Sequence, residues 1–270
     1  MLQVKLIIGS TREGRAADLV APWLIRGLEA RDDFKLEVLD LRDWDLPMFQ
    51  ETFKTIGDMH DPTFSSPTVK EWNTTIASAD AFVFLTPEYN HSLPAVLKNG
   101  IDSVFVTFGF RNKPSVCVAY SGGQTGGSRA PEHLAQIALE AEMVPLRNNV
   151  LLPFIGEAFD EAGEPKNPST NLALSILLDD LSWWGEALKS ARTSGVLPPA
   201  IFRQMATQTA AAAAEAIAED AWGRRRVPRH AHGSAFRLST SDSLRRSERS
   251  GQQCSTYKTN GWSSDGSSNK

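Results

Sequence analysis

Three short polar segments carry most of the side chains that could do chemistry. Gly9-Ser10-Thr11-Arg12 links a β-branched run to a helical pattern, and Arg15 follows three residues later. Free backbone N–H groups at a helix start, two hydroxyls and a guanidinium suit a phosphate. The segment is neither the Gly-x-Gly-x-x-Gly fingerprint nor a P-loop with its lysine. Its plainer reading is a capped helix with Arg12 and Arg15 in solvent. Thr86-Pro87-Glu88-Tyr89-Asn90 follows a second apolar run. There Tyr89 can stack on or edge a flat ring, Pro87 can fix backbone groups against its rim, and Glu88 and Asn90 add polar contacts. Ser121-Gly122-Gly123-Gln124-Thr125-Gly126-Gly127 places four glycines in six residues. It lets the backbone approach a ligand closely, at an entropic cost a plain surface turn need not bear. Each of the last two also reads, taken singly, as an ordinary turn.

The elements around these segments put all three at one place. Leu2–Ile8, Phe34–Leu41, Ala81–Leu85 and Ser115–Tyr120 read as strands, with a short fifth at Met143–Leu146 and an edge piece at Asn149–Leu152. Helical patterns cover Ala16–Ala30 (with Pro22 inside), Thr68–Ser78, Ser92–Val106 with Ser92 a candidate N-cap, Ser128–Ala141 and Leu172–Ala191. Strand, loop and helix thus repeat about five times. Near-continuous apolar strands indicate a parallel sheet covered on both faces. The expected fold is α/β, a flavodoxin-like three-layer sandwich whose five-stranded parallel sheet runs in the order 2-1-3-4-5. That order is preferred to the six-stranded dinucleotide-binding order because five strands are visible. In it the first and third strands are neighbours at the point where the chain reverses direction across the sheet. A phosphate on the first loop and a flat heterocycle between the other two fits FMN, the ligand of that switch point.

The charge is divided. Residues 1–189 carry a net charge of -10 and residues 190–270 one of +6. The expected organisation is a domain over 1–195, an alanine-rich possible helix over 196–222 and a disordered Ser/Arg-rich tail over 223–270. Arg224-Arg225-Arg226 has no interleaved aromatics, so the tail reads as a solvated extension rather than a nucleic-acid site. Two cysteines, Cys117 and Cys254, are too few for a disulfide framework. No apolar run reaches membrane-spanning length, no export signal opens the chain, and a cytoplasmic location is expected. The sequon Asn73-Thr74-Thr75 is then idle. The histidines show no metal-ligand spacing, although His91 lies close to the proposed ring site.

Gly9-Ser10-Thr11-Arg12, Thr86-Pro87-Glu88-Tyr89-Asn90, Leu97-Lys98-Asn99-Gly100-Ile101-Asp102 and Ser121-Gly122-Gly123 with Gly126-Gly127 together resemble the NADPH-dependent FMN reductase family. Its flavodoxin-like members include quinone, chromate and azo-dye reductases. The resemblance covers about residues 2–190. It implies FMN as cofactor, NADPH or NADH as hydride donor, and a small-molecule electron acceptor such as a quinone, free flavin or azo compound. It assigns the FMN phosphate to Ser10, Arg12 and Arg15. The isoalloxazine and ribityl group fall to Pro87, Glu88, Tyr89 and Asn90, and the glycine loop contributes Ser121, Gly122 and Gly123. No catalytic acid–base residue is required. Two departures stand out: Glu13-Gly14-Arg15-Ala16-Ala17 lacks the family's further Ser or Asn, and Gly100 replaces its usual alanine.

The resemblance also implies a homodimer or homotetramer. A physical motive is the apolar set Leu93, Val96, Leu97, Ile101, Val104 and Phe105, joined by Trp44, Leu46, Met48, Phe49 and Phe53 of the long Arg42–Pro67 segment. The alternative is that these residues fold back onto their own core. Two other functions compete with the enzyme: a single-electron carrier of the same fold, and a cofactor-free interaction scaffold.

Overall fold

The computed structural model describes residues 1–58 and 61–225. The tail reading beyond Arg225 lies outside the described residues, as does Cys254. The chain divides into two compact units, Met1–Ala210 and Ala211–Lys270.

The first unit alternates β1 (Leu2–Ile8), α1 (Ala17–Glu29), β2 (Phe34–Asp40), α2 (Pro67–Ala77), β3 (Ala81–Pro87), α3 (Ala95–Asp102), β4 (Pro114–Tyr120) and α4 (Arg129–Glu140). It then forms β5 (Val144–Pro145), β6 (Val150–Leu152), a short 3-10 turn at Ile155–Glu157 and α5 (Pro168–Ser194). A sixth helix, α6 (Ala200–Arg225), begins in this unit, and its remainder is the described part of the second. The sheet is parallel throughout and ordered β2-β1-β3-β4-β5, with β6 also paired to β4. β5 and β6 therefore form one interrupted edge, as the sequence suggested.

Strand residues alternate between two buried faces. Val4, Leu6, Ile8, Val83, Leu85, Val116 and Val118 pack with α1 and α5 residues such as Trp23, Leu24, Leu177 and Leu181. Ile7, Phe82, Phe84, Cys117 and Ala119 pack with Trp72, Ile76, Leu97, Ile101 and Leu134 of α2, α3 and α4. Because both faces are dry, β3 and β4 are buried at every position, which is why they read as unbroken apolar runs. Burial also pushes the Cys117 thiol pKa up, which leaves it inert.

Two sequence expectations change. The third helix begins at Ala95 after Pro94 and stops at Asp102, rather than running from Ser92 to Val106. Ser92 is not its cap; it closes a tight turn with Tyr89. Positive φ at Val106 and Phe108 ends regular structure beyond the helix. Asn73, read as an idle sequon, is 1% exposed. Its amide donates to the Val69 and Ser103 carbonyls and accepts from Thr107, so in the fold it is a latch that cannot carry a glycan.

The segment between β2 and α2 is pinned at its base. Asn99 of α3 accepts from the Phe49 N–H at 2.7 Å and donates to the Pro47 carbonyl at 2.9 Å. Buried Glu51 gathers the Ser65 amide and the Thr55 and Ser65 hydroxyls. Leu93, Leu97 and Ile101 are buried in the subunit's own core, with Trp44 and Leu46 packed against it. The exposed apolar surface therefore shrinks to Met48, Phe49 and Phe53, with Phe49 and Phe53 against the Phe105 ring.

Candidate functional site

The loops leaving β1, β3 and β4 meet at the C-terminal end of the sheet. Ser10 is fully buried, and its Oγ lies 2.8 Å from the Tyr89 hydroxyl. The Arg12 guanidinium sits 5.3 Å from the Tyr89 ring centroid, a cation–π distance. The β1 and β3 loops are thus joined twice. Arg12 is exposed, and among the described residues no carboxylate pairs with it. Nor, among those residues, does any acceptor take the N–H groups of Thr11, Arg12, Glu13 and Gly14. A cation and a row of free amides ahead of α1 are what an oxyanion needs.

Arg15 behaves differently from its neighbour. It is buried, with its guanidinium forked onto both oxygens of Asp40, its Nε donating to Asp18 at 2.8 Å and one Nη donating to the Ser10 carbonyl. Four of its five donors are therefore occupied by protein. The Asp40 bonds, opposed by burial, hold its pKa above the usual arginine value. Burial alone would raise the Asp40 carboxyl, but Arg15 and the Arg42 amide outweigh it and hold it below the usual carboxylate range. Arg42 in turn donates to the Arg12 carbonyl at 2.9 Å. These contacts shape the loop on which Arg12 stands.

Pro87 is the last register partner on β3, opposite Tyr120. Beyond it the Glu88 N–H donates to the Tyr120 carbonyl at 3.0 Å. The Glu88 carboxylate accepts from Arg129 Nη1 at 2.7 Å and from the Arg129 amide at 3.2 Å. Burial pushes that carboxyl up, while Arg129 pulls it further down, for a net lowering. An arginine in the first turn of α4 opposes the helix dipole, and Glu88 compensates for it. Tyr89 and Ser92 exchange both backbone hydrogen bonds across Asn90 and His91. Both central residues have positive φ, as this tight hairpin turn demands. Asn90 and His91 are exposed, and His133 Nδ1 reaches the Ser92 hydroxyl at 2.9 Å.

The four glycines of the β4 loop divide into two pairs. A Cβ on Gly127 would lie 2.8 Å from the Tyr120 backbone, at φ +83, and Gly126 is similarly confined against Pro153 and Leu151. Gly122 and Gly123 have ordinary φ and nothing within 4 Å of such an atom. Nothing in the protein requires glycine there, and the space above them is open to a ligand. Ser121 Oγ donates to the Gly123 carbonyl at 3.1 Å and holds that backbone in place.

The structure therefore brings Ser10, Arg12, Tyr89, Ser121, Gly122 and Gly123 to one sheet end with polar groups or space to offer. Arg15 and Glu88 stand there as braces. Asp40 and Arg129, which complete those braces, were not foreseen. Asp40 ends the strand beside β1, and Arg129 opens a helix as a cation in want of a carboxylate. Among the described residues no cluster of His, Cys, Asp and Glu could hold a metal, and no helix is long and apolar enough to cross a membrane. A cavity of about 590 Å³ opens at the opposite end of the sheet, beside Val106, Phe108, Lys113, Arg192, Leu197 and Phe202. Its charged groups are tied to the protein, with Lys113 on three carbonyls and Arg192 on Asp80 and the Asn112 carbonyl.

Comparison with known proteins bears on the family and the fold. The chain is 34% identical over 153 residues to an NAD(P)H-dependent FMN reductase of Schizosaccharomyces pombe, covering 56% of this chain and 74% of that protein. It is 30% identical over 172 residues to a quinone reductase of Escherichia coli, covering 59% and 86%. Among solved structures, the flavoenzyme NAD(P)H:(acceptor) oxidoreductase FerB from Paracoccus denitrificans shares the fold. Its TM-score is 0.58 at 22% identity, over 69% of this chain and 98% of that one. Residues 2–157, more than half of the chain, match the family described as NADPH-dependent FMN reductase, and the chain belongs to that family.

Proposed function

We propose that the chain holds FMN across the ends of β1, β3 and β4 and acts as an NAD(P)H-dependent oxidoreductase toward a small acceptor such as a quinone, free flavin or azo compound. The observation that carries this reading is the gathering of unmet polar groups and open backbone at one sheet end: the amides of residues 11–14, Arg12, and the space over Gly122 and Gly123. These fit a phosphate followed by a flat ring. When bound, FMN supplies the redox chemistry, accepting a hydride from a nicotinamide and delivering two electrons to the acceptor.

The chain's own residues bind and orient. Arg12, the Ser10 hydroxyl and the free amides hold the phosphate with charge-assisted hydrogen bonds. Arg15 acts through the loop, fixing the Ser10 carbonyl and Asp40, rather than through direct contact. Tyr89 walls the ring site. Glu88, locked by Arg129, holds the β3 loop against α4 and so fixes the Asn90 turn that follows it. No side chain is assigned as general acid or base. Met48, Phe49 and Phe53 form the face through which two copies pair, giving a homodimer or, by further pairing, a homotetramer. Sedimentation equilibrium at micromolar concentration should report at least a dimer, and a monomer there would reject the pairing.

The test of the cofactor is direct. Flavin-free protein titrated with FMN, riboflavin and FAD should bind FMN most tightly, because riboflavin lacks the phosphate and FAD places adenosine where the β1 loop offers a terminal seat. Uptake of none of them, or preference for FAD, would reject the assignment.

A further inference from the structure

The Tyr120 hydroxyl is, among the described residues, the one buried side-chain nitrogen or oxygen without a hydrogen-bond partner. Tyr120 ends β4 and is 3% exposed. An orphan of this kind costs stability and calls for an explanation. The ring lies in the cluster that contains Ile8, Ala17 and Val20, at the end of β1 and the start of α1. Burial raises the phenol's pKa and Tyr89 adds to this, while Arg15, the Ala17 N–H and the Ser10 side chain lower it. The hydroxyl therefore stands among the β1-loop groups. Ser10 and the Ala17 N–H are its polar neighbours, close enough to lower its pKa, yet neither meets the geometry of a hydrogen bond with it. Ser10, fully buried, is instead engaged with Tyr89.

A serine hydroxyl has one proton and two lone pairs. With Tyr89 as its partner, Ser10 still has a lone pair to spare, but its hydroxyl is set toward Tyr89 and leaves Tyr120 unmet. An anion in front of α1 draws the serine proton and turns the hydroxyl, so that a lone pair faces the Tyr120 donor. We propose that Tyr120 is a positioning residue for the ligand phosphate: with the anion in place, its hydroxyl donates to Ser10 Oγ, and Ser10 turns its own proton from Tyr89 to a phosphate oxygen. Tyr89, half-buried, then keeps either the second lone pair of Ser10 or solvent as partner. The inference rests on the FMN reading above and adds a buried donor that acts through Ser10 rather than by touching the ligand.

FMN and riboflavin share a ring and differ in the phosphate, so their ratio isolates this role. Flavin-free wild type, Tyr120→Phe, Ser10→Ala and the double variant are titrated with each, following flavin fluorescence. Tyr120→Phe should weaken FMN binding about three- to tenfold, the worth of one hydrogen bond, and leave riboflavin unchanged. In the Ser10→Ala background it should cause no further loss. Flavin-free Tyr120→Phe should melt no lower than wild type, because an unpartnered hydroxyl has been removed. Equal losses for both flavins with a lowered melting temperature would mean packing alone and overturn the inference. So would an FMN loss that persists in Ser10→Ala, or an unchanged preference for FMN. If the wild type binds neither flavin, the FMN reading itself falls, and the Tyr120 role with it.

Discussion

The two ends of the sheet are built from similar residue types and treat them in opposite ways. At the N-terminal end the charged side chains of Asp80, Lys113 and Arg111 all have hydrogen-bond partners in the protein, although Lys113, held by carbonyls alone, has its pKa lowered by burial to about 7. Asp80 accepts from the Gln3 amide at 3.0 Å, from Lys189 at 2.9 Å and from Arg192 at 2.8 Å. Lys113 donates to the carbonyls of Ile76, Ala77 and Gly109 at 3.2, 2.7 and 2.6 Å, and Arg111 pairs with Glu142. At the C-terminal end Arg12, the amides beside it and Tyr120 are unmatched, and Gly122 and Gly123 face open space. Partnered groups hold elements together, whereas unpartnered ones at a parallel sheet's C-terminal edge are what support the proposed flavin site. The 590 Å³ cavity lies among the partnered groups, at the end of the sheet opposite the proposed flavin site.

The largest expected effect comes from breaking a match. Asp80→Ala leaves Lys189 and Arg192 without their carboxylate, and their side chains are 36% and 23% exposed. Partial exposure reduces the penalty of a fully buried broken pair to about 2–3 kcal/mol. Urea unfolding should show that loss while FMN affinity holds steady. A weakened flavin site with unchanged stability would reverse the contrast between the two ends.

Arg12→Ala should do the opposite. Removing a charge-assisted contact worth roughly 1.5–3 kcal/mol should weaken FMN by about ten- to a hundredfold and leave urea stability untouched. Unchanged affinity would place the phosphate elsewhere.

The glycine loop sharpens the same contrast inside one segment. Gly127→Ala forces a Cβ against the Tyr120 backbone at positive φ and should destabilise the fold by more than about 1 kcal/mol. Gly122→Ala enters open space, so its cost should appear in flavin affinity and not in thermal melting. Equal behaviour of the two variants would remove the distinction between structural and ligand-facing glycines.

A smaller effect should appear in the pH dependence. Burial pushes Asp80 up, but the Gln3 amide, Lys189 and Arg192 prevail and its pKa is lowered in the fold. The unfolded chain therefore binds that proton more readily. Asp80's contribution is complete above the usual carboxylate pKa of about 4 and is lost as pH falls through the lower folded value. Asp80→Asn should flatten the acid limb of a stability–pH curve, and an unaltered limb would deny that Asp80 is matched.

The fold was largely legible because burial on both faces leaves Ala81–Leu85 and Ser115–Tyr120 as unmistakable apolar runs between glycine-rich or polar breaks. The third helix was overread because Ser92 and Val104–Val106 extend its apolar pattern while serving a turn and a loop. The site loops were legible one at a time. Their braces were not, since Arg15–Asp40 and Glu88–Arg129 join residues 25 and 41 apart on different elements. Those pairs appear only when β2 lies beside β1 and β4 beside β3. Tyr120 was hidden for another reason: at the end of an apolar strand its ring reads as core, and nothing in the sequence shows that its hydroxyl is unpaired.

The most direct measurement of the central claim is anaerobic addition of NADPH, and separately NADH, to the FMN-loaded protein while the flavin's yellow absorbance is followed. The account predicts rapid bleaching by at least one nucleotide and recovery of colour when a quinone is added. A flavin that stays yellow with both nucleotides would contradict it and favour an electron carrier on the same fold.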